Sequence, residues 1–394
     1  MTNCAWIVLT LVSTHVFASV EIPQISPPHW IVPAKNIPHK FKLRRSNNND
    51  SIAMHEGRLF VAWRSAPTHF ASKKTKMFVM SSSDMGETWL PEHEISLRTD
   101  VREPFLISFQ GRLFLSYFIA GSNPLAFQPK KMMRTERLSQ GRWSRPEEYG
   151  LPGEVPWEIK ERNGQLYMTS YLGDHYSSGK SKINVFFKTS KNGIDWAPVN
   201  PNTPFVYEGG VSEVGFEFTE NGKLWAVTRN EDGDNSRWGS HVATSENWGK
   251  EPWVFPKQSN PNRYDSPRMV RHGKDLYLVA RKDLGGPYDQ FKNLWGFNIQ
   301  KWLYLISYSL RYKQTALYTV NQETREVEWL ADLPSAGDTA FPSIVQLGPD
   351  KFMVANYTSP INETYEYSWF DGQVSRRGTG IYWVEMNFAN TSGQ

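Results

Sequence analysis

The chain has 394 residues, 14 % of them aromatic, and a formal charge of only +4. So small a charge, with basic runs at 73–76 (KKTK) and 134–142 (RTERLSQGR) that form no sustained basic face, excludes a nucleic-acid-binding module, although a locally positive pocket for an anionic small ligand stays open. HExxH, CxxC, GxSxG and a phosphate-binding glycine loop are all missing, so zinc, serine-hydrolase and nucleotide chemistry find no support.

In chain order, residues 6–12 (WIVLTLV) form an apolar core, and the following THVFA places Val16 and Ala18 where a signal-peptide cleavage site takes small residues. The expectation is a signal over 1–18 and one domain over 19–394, secreted or periplasmic; the alternative is a buried N-terminal strand, since MTNC carries no positive charge. No later segment approaches the ~20 apolar residues of a membrane span. The single cysteine, Cys4, falls inside the signal, so no disulfide is expected. Sequons at Asn49, Asn356, Asn362 and Asn390 fit a eukaryotic secreted protein without identifying the organism.

Beyond residue 50 a Gly-x-Leu-aromatic core recurs: EGRLFVAWR, QGRLFLSYF, NGQLYMTSY, NGKLWAVTR, HGKDLYLVAR and the divergent PDKFMVANY. Its anchors, Gly57, Gly111, Gly164, Gly222, Gly273 and Asp350, recur mostly at roughly 50 to 60 residues, the range of four-stranded propeller blades. Apolar alternation on both sides makes each anchor the turn of a hairpin. No long stretch shows the period of an amphipathic helix. An all-β, six-bladed β-propeller of four-stranded antiparallel blades is therefore expected, with a seventh blade hidden between Gly285 and Leu310, or a pair of β-sandwiches, as alternatives.

After the first copy's third strand comes SSSDMGETW, Ser81 to Trp89, in which Asp84 can accept backbone N–H bonds and Gly86 can take φ > 0. Weaker versions are SKNGIDW (190–196), SENW (245–248) and SQGRW (139–143). S-x-D-x-G-x-T-W after a third strand resembles the Asp-box (BNR repeat) of sialidases, whose propellers are six-bladed.

If the hairpin turns lie at one end of each blade, residues about seven after and eight before each anchor ring the opposite mouth. The first column reads Arg64, Phe118, Tyr171, Arg229, Arg281 and Tyr357; the second reads Asn49 or Asp50, Arg102 with Glu103, Trp157 with Glu158, Glu213, Asp265 and Phe341. Solvated strand ends would also carry charges, but guanidinium groups converging on one mouth would make a carboxylate clamp. Trp157 is the tryptophan best placed to stack on a sugar.

In SEVGFEFTENGKLWAVTR, Glu213 and Arg229 match the sialidase pattern of a Glu before the turn and an Arg after it. The resemblance implies that Arg229 belongs to an arginine triad holding a sugar carboxylate, and that Glu213 activates a tyrosine nucleophile. Three positions depart from the pattern. Phe341 stands where the nucleophilic Tyr is expected, leaving Tyr357 or Tyr264 as substitutes. The first inner strand reads NNNDSIAM instead of carrying Arg-Ile-Pro, leaving Arg64 as a stand-in. The acid/base Asp is absent from the loop after Arg64, where His69 is the remaining proton carrier.

Three functions compete. An exo-acting glycosidase on an acidic sugar would draw a carboxylate pair from Glu103, Glu158, Glu213, Asp265 and Asp338. A glycan-binding propeller would keep the lining without chemistry. A uronate lyase would need a base such as His69, His175 or His241 with a Tyr. The catalytic candidates are Glu213, Glu158, Asp338 and His69; the binding candidates are Arg64, Arg102, Glu103, Trp157, Arg229, Asp265, Arg281 and Tyr357. No cofactor is expected. NEDGDN (230–235) has the look of a calcium loop but lacks the later Glu, so a solvated turn is preferred. A monomer with a glycan or acidic-sugar ligand is the expected state.

Overall fold

The computed structural model describes residues 20–34, 36–291 and 296–388. The apolar run at 6–12, Cys4, the cleavage site before Ser19 and the Asn390 sequon lie outside them.

Six antiparallel sheets form a β-propeller, each built outward from its first strand. Blade 1 comprises Ser46–His55, Arg58–Ala66, Lys76–Ser82 and Leu90–Ile95. Blade 2 begins with Asp100–Phe109, Arg112–Ala120 and Pro129–Ser139, and two short strands, Arg142–Trp143 and Glu147–Tyr149, share its outer edge. Blade 3 has Val155–Arg162, Gln165–Gly173 and Ile183–Ser190, edged by Ala197–Pro198 and Tyr207–Gly209. Blade 4 has Val211–Phe218, Leu224–Asn230 and Val242–Ser245, its fourth strand reduced to a bridge between Thr244 and Val254. Blade 5 comprises Tyr264–His272, Asp275–Asp283, Lys313–Val320 and Val327–Leu333.

Blade 6 takes Ser343–Gly348, Lys351–Thr358 and Gly380–Asn387 from the end of the chain, and its outer strands, Gln24–Ile25 and His29–Val32, from the beginning. His29 stacks on Trp383 at 4.2 Å across this seam. The first strands touch one another in ring order, the sixth returning to the first, so they line the axis.

The hairpin anchors behave as expected. The pairs Glu56–Gly57, Gln110–Gly111 and Asn163–Gly164 all have φ between 48° and 75°, the left-handed pair that a two-residue hairpin turn of this twist demands. Strand centres bury Leu, Val, Phe and Met between neighbouring blades, each fully buried side chain contributing about 1.5–3 kcal/mol.

In SSSDMGETW, Asp84 Oδ1 accepts from Thr88 N (2.8 Å) and from Ser82 Oγ (2.6 Å), while Gly86 N donates to Ser82 Oγ. Gly86 has φ 105°, and the buried Trp89 ring packs 3.2 Å from where a Cβ would stand. This turn joins the two outer strands of blade 1, away from the axis.

The interval from Gly285 to Leu310 holds a helix, α1 (Phe297–Leu310), which corrects the expectation that the chain has no helical period. Its buried side chains are Lys301, Tyr304 and Tyr308, whose polar tips disguise the inward stripe. A shorter α2 (Trp369–Val374) is capped by Ser368, which accepts from Asp371 N. Burial also removes two sequons from use: Asn49 and Asn356 are enclosed, whereas Asn362 is exposed.

Candidate active site

All six connections from second to third strand gather at one end of the ring. In blades 5 and 6 they are long enough to contain α1 and α2, which roof a cavity of about 460 Å³. Its floor is made by the first strands, and one irregularity recurs there. Pairing with the second strand slips between Asn48 and Asp50, Arg102 and Phe105, Pro156 and Glu158, Val211 and Val214, and Asp265 and Arg268. Such bulges re-aim side chains. At three of them a non-glycine residue, Asn49, Glu103 or Ser266, has φ near +50°, and blade 6 has Ala340 at 67°. Strain of this kind costs about 1–3 kcal/mol per residue and collects at functional sites.

Glu213 lies on the floor between Arg229 Nη1 (2.5 Å) and the backbone N–H of Ser266, which donates to Oε2 at 3.0 Å. Arg229 also holds Glu231 Oε1 at 2.6 Å and stands 3.8 Å from Asp265, which is fixed by Arg263. Three surrounding carboxylates keep this guanidinium charged although it is largely withdrawn from solvent.

Glu103 faces the same cavity with Oε2 unpaired. Burial, and next the charge of Glu213, push its carboxyl up to about 8 against the pull of Arg102, Arg268 and Arg229. The cavity therefore holds one carboxylate anchored in a hydrogen-bonded ion pair and one carboxyl that keeps its proton at neutral pH.

On the opposite wall Asp338 bridges two other groups. His69 Nδ1 lies 2.8 Å from Oδ2, and the Tyr357 hydroxyl donates to Oδ1 at 3.1 Å. Burial outweighs the Asp338 charge and lowers the His69 imidazole below its usual value, so the neutral ring donates from Nδ1. Burial raises the Tyr357 phenol well above its ordinary range. Arg281 donates to the carbonyls of Thr339 and Ala340 and to the Tyr308 hydroxyl, and among the described residues no carboxylate bonds it. Arg102 reaches the cavity from its pair with Asp100.

His69, Arg102, Glu103, Glu213, Arg229, Arg281, Phe341 and Tyr357 thus line one cavity, with Asp265 and Asp338 a layer behind. Three further candidates lie away from it. Arg64 is fully buried, gripping Asp100 at 2.9 Å and donating to the Phe70 carbonyl, so no clamp of Arg64, Arg229 and Arg281 forms. Trp157 is the bulged residue of blade 3: its indole donates to the Pro267 carbonyl, and Arg268 stacks on it at 4.1 Å beside Phe341. That stack plugs the axis. Glu158, one residue further down, faces a second cavity of about 410 Å³ at the hairpin end, bound to Lys160 (3.1 Å) and to Phe216 N.

No tyrosine hydroxyl bonds Glu213 among the described residues, and Tyr264 instead points to the Val327 carbonyl. Sequence reasoning missed Tyr176, Glu231, Tyr308, Trp369 and Phe370 of the cavity wall, all from loops or helices outside the repeat. Glu231 was marked only by its place in NEDGDN.

Fold and site together define a six-bladed propeller with a carboxylate-bearing cavity at one mouth. No family model and no curated protein matches the chain. Among solved structures it resembles a protein of unknown function from Dyadobacter fermentans, at 14 % identity and a TM-score of 0.58 over 88 % of this chain and 96 % of that one. It also resembles Trypanosoma rangeli sialidase in complex with the inhibitor DANA, at 16 % identity and a TM-score of 0.56 over 92 % of this chain. A mutant of that sialidase displaying trans-sialidase activity aligns at 12 % identity with a TM-score of 0.54 over 93 % of this chain. The chain spans 58–60 % of the length of these two sialidase chains. At such identities the likeness shows the propeller fold alone.

Proposed function

We propose that the protein is an exo-acting glycoside hydrolase whose substrate is an acidic sugar. The observation that carries this reading is the pair Glu103 and Glu213 facing one cavity above the Trp157–Arg268 stack, Glu213 held by Arg229 and Ser266 N and Glu103 with one oxygen unpaired. Glu103 gives its proton to the glycosidic oxygen as the C–O bond to the anomeric carbon breaks. Glu213 faces the positive charge that develops on the sugar, and acts directly, either as nucleophile or by deprotonating water. Arg281, bonded by no carboxylate among the described residues, supplies the charge that would receive the substrate's own carboxylate. A blocked axis and roofed mouth favour release of terminal residues over cleavage within a chain.

The His69–Asp338–Tyr357 arrangement supports a second reading, a lyase in which neutral His69 removes the C5 proton of a uronate. Incubation with sialyl, uronyl and neutral aryl glycosides and with uronate polymers separates the readings. A free reducing sugar, lost in Glu213→Gln, supports hydrolysis. An unsaturated uronate product, lost in His69→Ala, supports elimination instead. Saturable glycan binding that persists in Glu213→Gln, with no product from any substrate, would make the protein a lectin-like binder.

A further inference from the structure

The motif NEDGDN, expected to be a solvated turn, is buried over its first four residues, 230–233. Glu231 and Asp232 follow the second strand of blade 4, and each turns one carboxylate oxygen toward His175 from the corresponding loop of blade 3. His175 Nδ1 is 3.5 Å from Asp232 Oδ1 and 3.9 Å from Glu231 Oε2, and one ligand atom from each of the three residues lies within 4.8 Å of the other two. Two ligands about 2.1 Å from a common ion stand about 3.0–3.5 Å apart at octahedral to tetrahedral angles, a spacing the His175–Asp232 pair already has and into which Glu231 would close from 3.9 Å.

The hydrogen-bond inventory separates this trio from an ordinary ion-pair network. The His175 side chain is 4 % exposed; its Nδ1 approaches Asp232 Oδ1 only at the outer limit of a hydrogen bond (3.5 Å), and its Nε2 has no partner among the described residues. The far oxygens are saturated. Asp232 Oδ2 accepts from Lys301 Nζ (3.0 Å), Tyr176 N (2.8 Å) and Ser181 Oγ, while Glu231 Oε1 accepts from Arg229 (2.6 Å) and the Tyr176 hydroxyl (3.0 Å). Outer partners thus orient both carboxylates and leave their inner oxygens converging on the imidazole. Phe127 and Tyr171 pack edge-on against the ring, fixing its plane.

We infer that His175, Glu231 and Asp232 bind a first-row divalent cation, such as Zn²⁺ or Mn²⁺, in the wall of the mouth cavity. One imidazole and two carboxylates suit these ions, whereas calcium asks for six to eight oxygens. Because His175 and Glu231 also line the cavity, the open coordination positions face it. The site stands on its own geometry and does not depend on the hydrolase reading.

The test uses untagged full-length protein, stripped with a chelator, loaded separately with Zn²⁺ or Mn²⁺, desalted and analysed for metal content. One equivalent of one of these ions is expected in the wild type, with at least tenfold weaker binding in His175→Ala and Glu231→Gln. The control His272→Ala, which alters a surface histidine beside Asp350 and Glu21, should bind as the wild type does. Should the cavity variants fail to fold, X-ray absorption of the loaded wild type decides. One nitrogen and two or more oxygens at about 2.1 Å support the site. Failure of the wild type to retain either ion, equal retention by His175→Ala, or an all-oxygen shell would overturn it.

Discussion

The two ends of the central channel are built from the same six first strands but treat charge in opposite ways. At the hairpin end Glu217 is held by both Arg162 and Lys160, and Glu158 by Lys160 and a backbone N–H. At the mouth, Asn49 Oδ1, Glu103 Oε2, Ser212 Oγ, Ser266 Oγ and Arg229 Nε are enclosed without partners. A buried polar atom left unpaired costs about 1–3 kcal/mol, so a fold keeps several together where a ligand or water completes them. Charge content does not distinguish the ends. Incomplete pairing does in degree: it is concentrated at the mouth, while at the hairpin-end cavity Arg268 Nη1 is unpaired.

The largest expected effect breaks this contrast at the mouth: Glu213→Gln should lower turnover by roughly 10²–10⁴-fold with little change in folding, as followed by kinetics and thermal denaturation. At the hairpin end Glu217→Gln should do the reverse. It strips a buried carboxylate from Lys160 and Arg162 and should cost about 3–5 kcal/mol in denaturant titration, with the specific activity of folded molecules unchanged.

Glu103 gives a smaller, pH-resolved effect. Its carboxyl rises from roughly 4.3 in the unfolded chain to about 8 when folded. Between those values the native state holds a proton that the unfolded state has released, so this group's contribution is full below the lower value and is lost as pH rises through 8. Glu103→Gln should flatten that decline in urea midpoints measured across the window, and the wild-type activity should show an alkaline limb near pH 8. The smallest effect belongs to the rim: Asp84→Ala removes the carboxylate that Thr88 and Ser82 bond and should lower Tm slightly while leaving kinetics alone.

The blades were readable because a hairpin turn with two left-handed residues calls for Gly at one fixed place, and the apolar runs around it alternate with period two. The ring of mouth residues was readable only in part, because counting back from each anchor assumes an unbroken strand. At the blade 2 bulge that count still reaches the cavity at Glu103, whereas in blade 3 it picks Trp157 and Glu158, one folded into the axial plug and the other beyond it. A bulge leaves no composition signal when its extra residue is not Gly. Long insertions are harder still: α1 reaches the mouth through Trp302, Leu305 and Tyr308, while the buried Lys301 breaks the apolar stripe that sequence periodicity looks for.

The seam in blade 6 has a bearing on how the molecule assembles. Glu385 N donates to Ser26 Oγ across 359 residues of sequence, and both outer strands of that blade come from the chain's first described residues. Each of the first five blades can pair its own strands as soon as it leaves the ribosome, but the circle stays open until the final strand, Gly380–Asn387, meets His29–Val32. Contacts of such long sequence separation form late and slowly. The mouth, which draws residues from all six blades, therefore comes into existence only at that last step, and a nascent or C-terminally clipped chain carries every site residue up to the break without ever possessing the site.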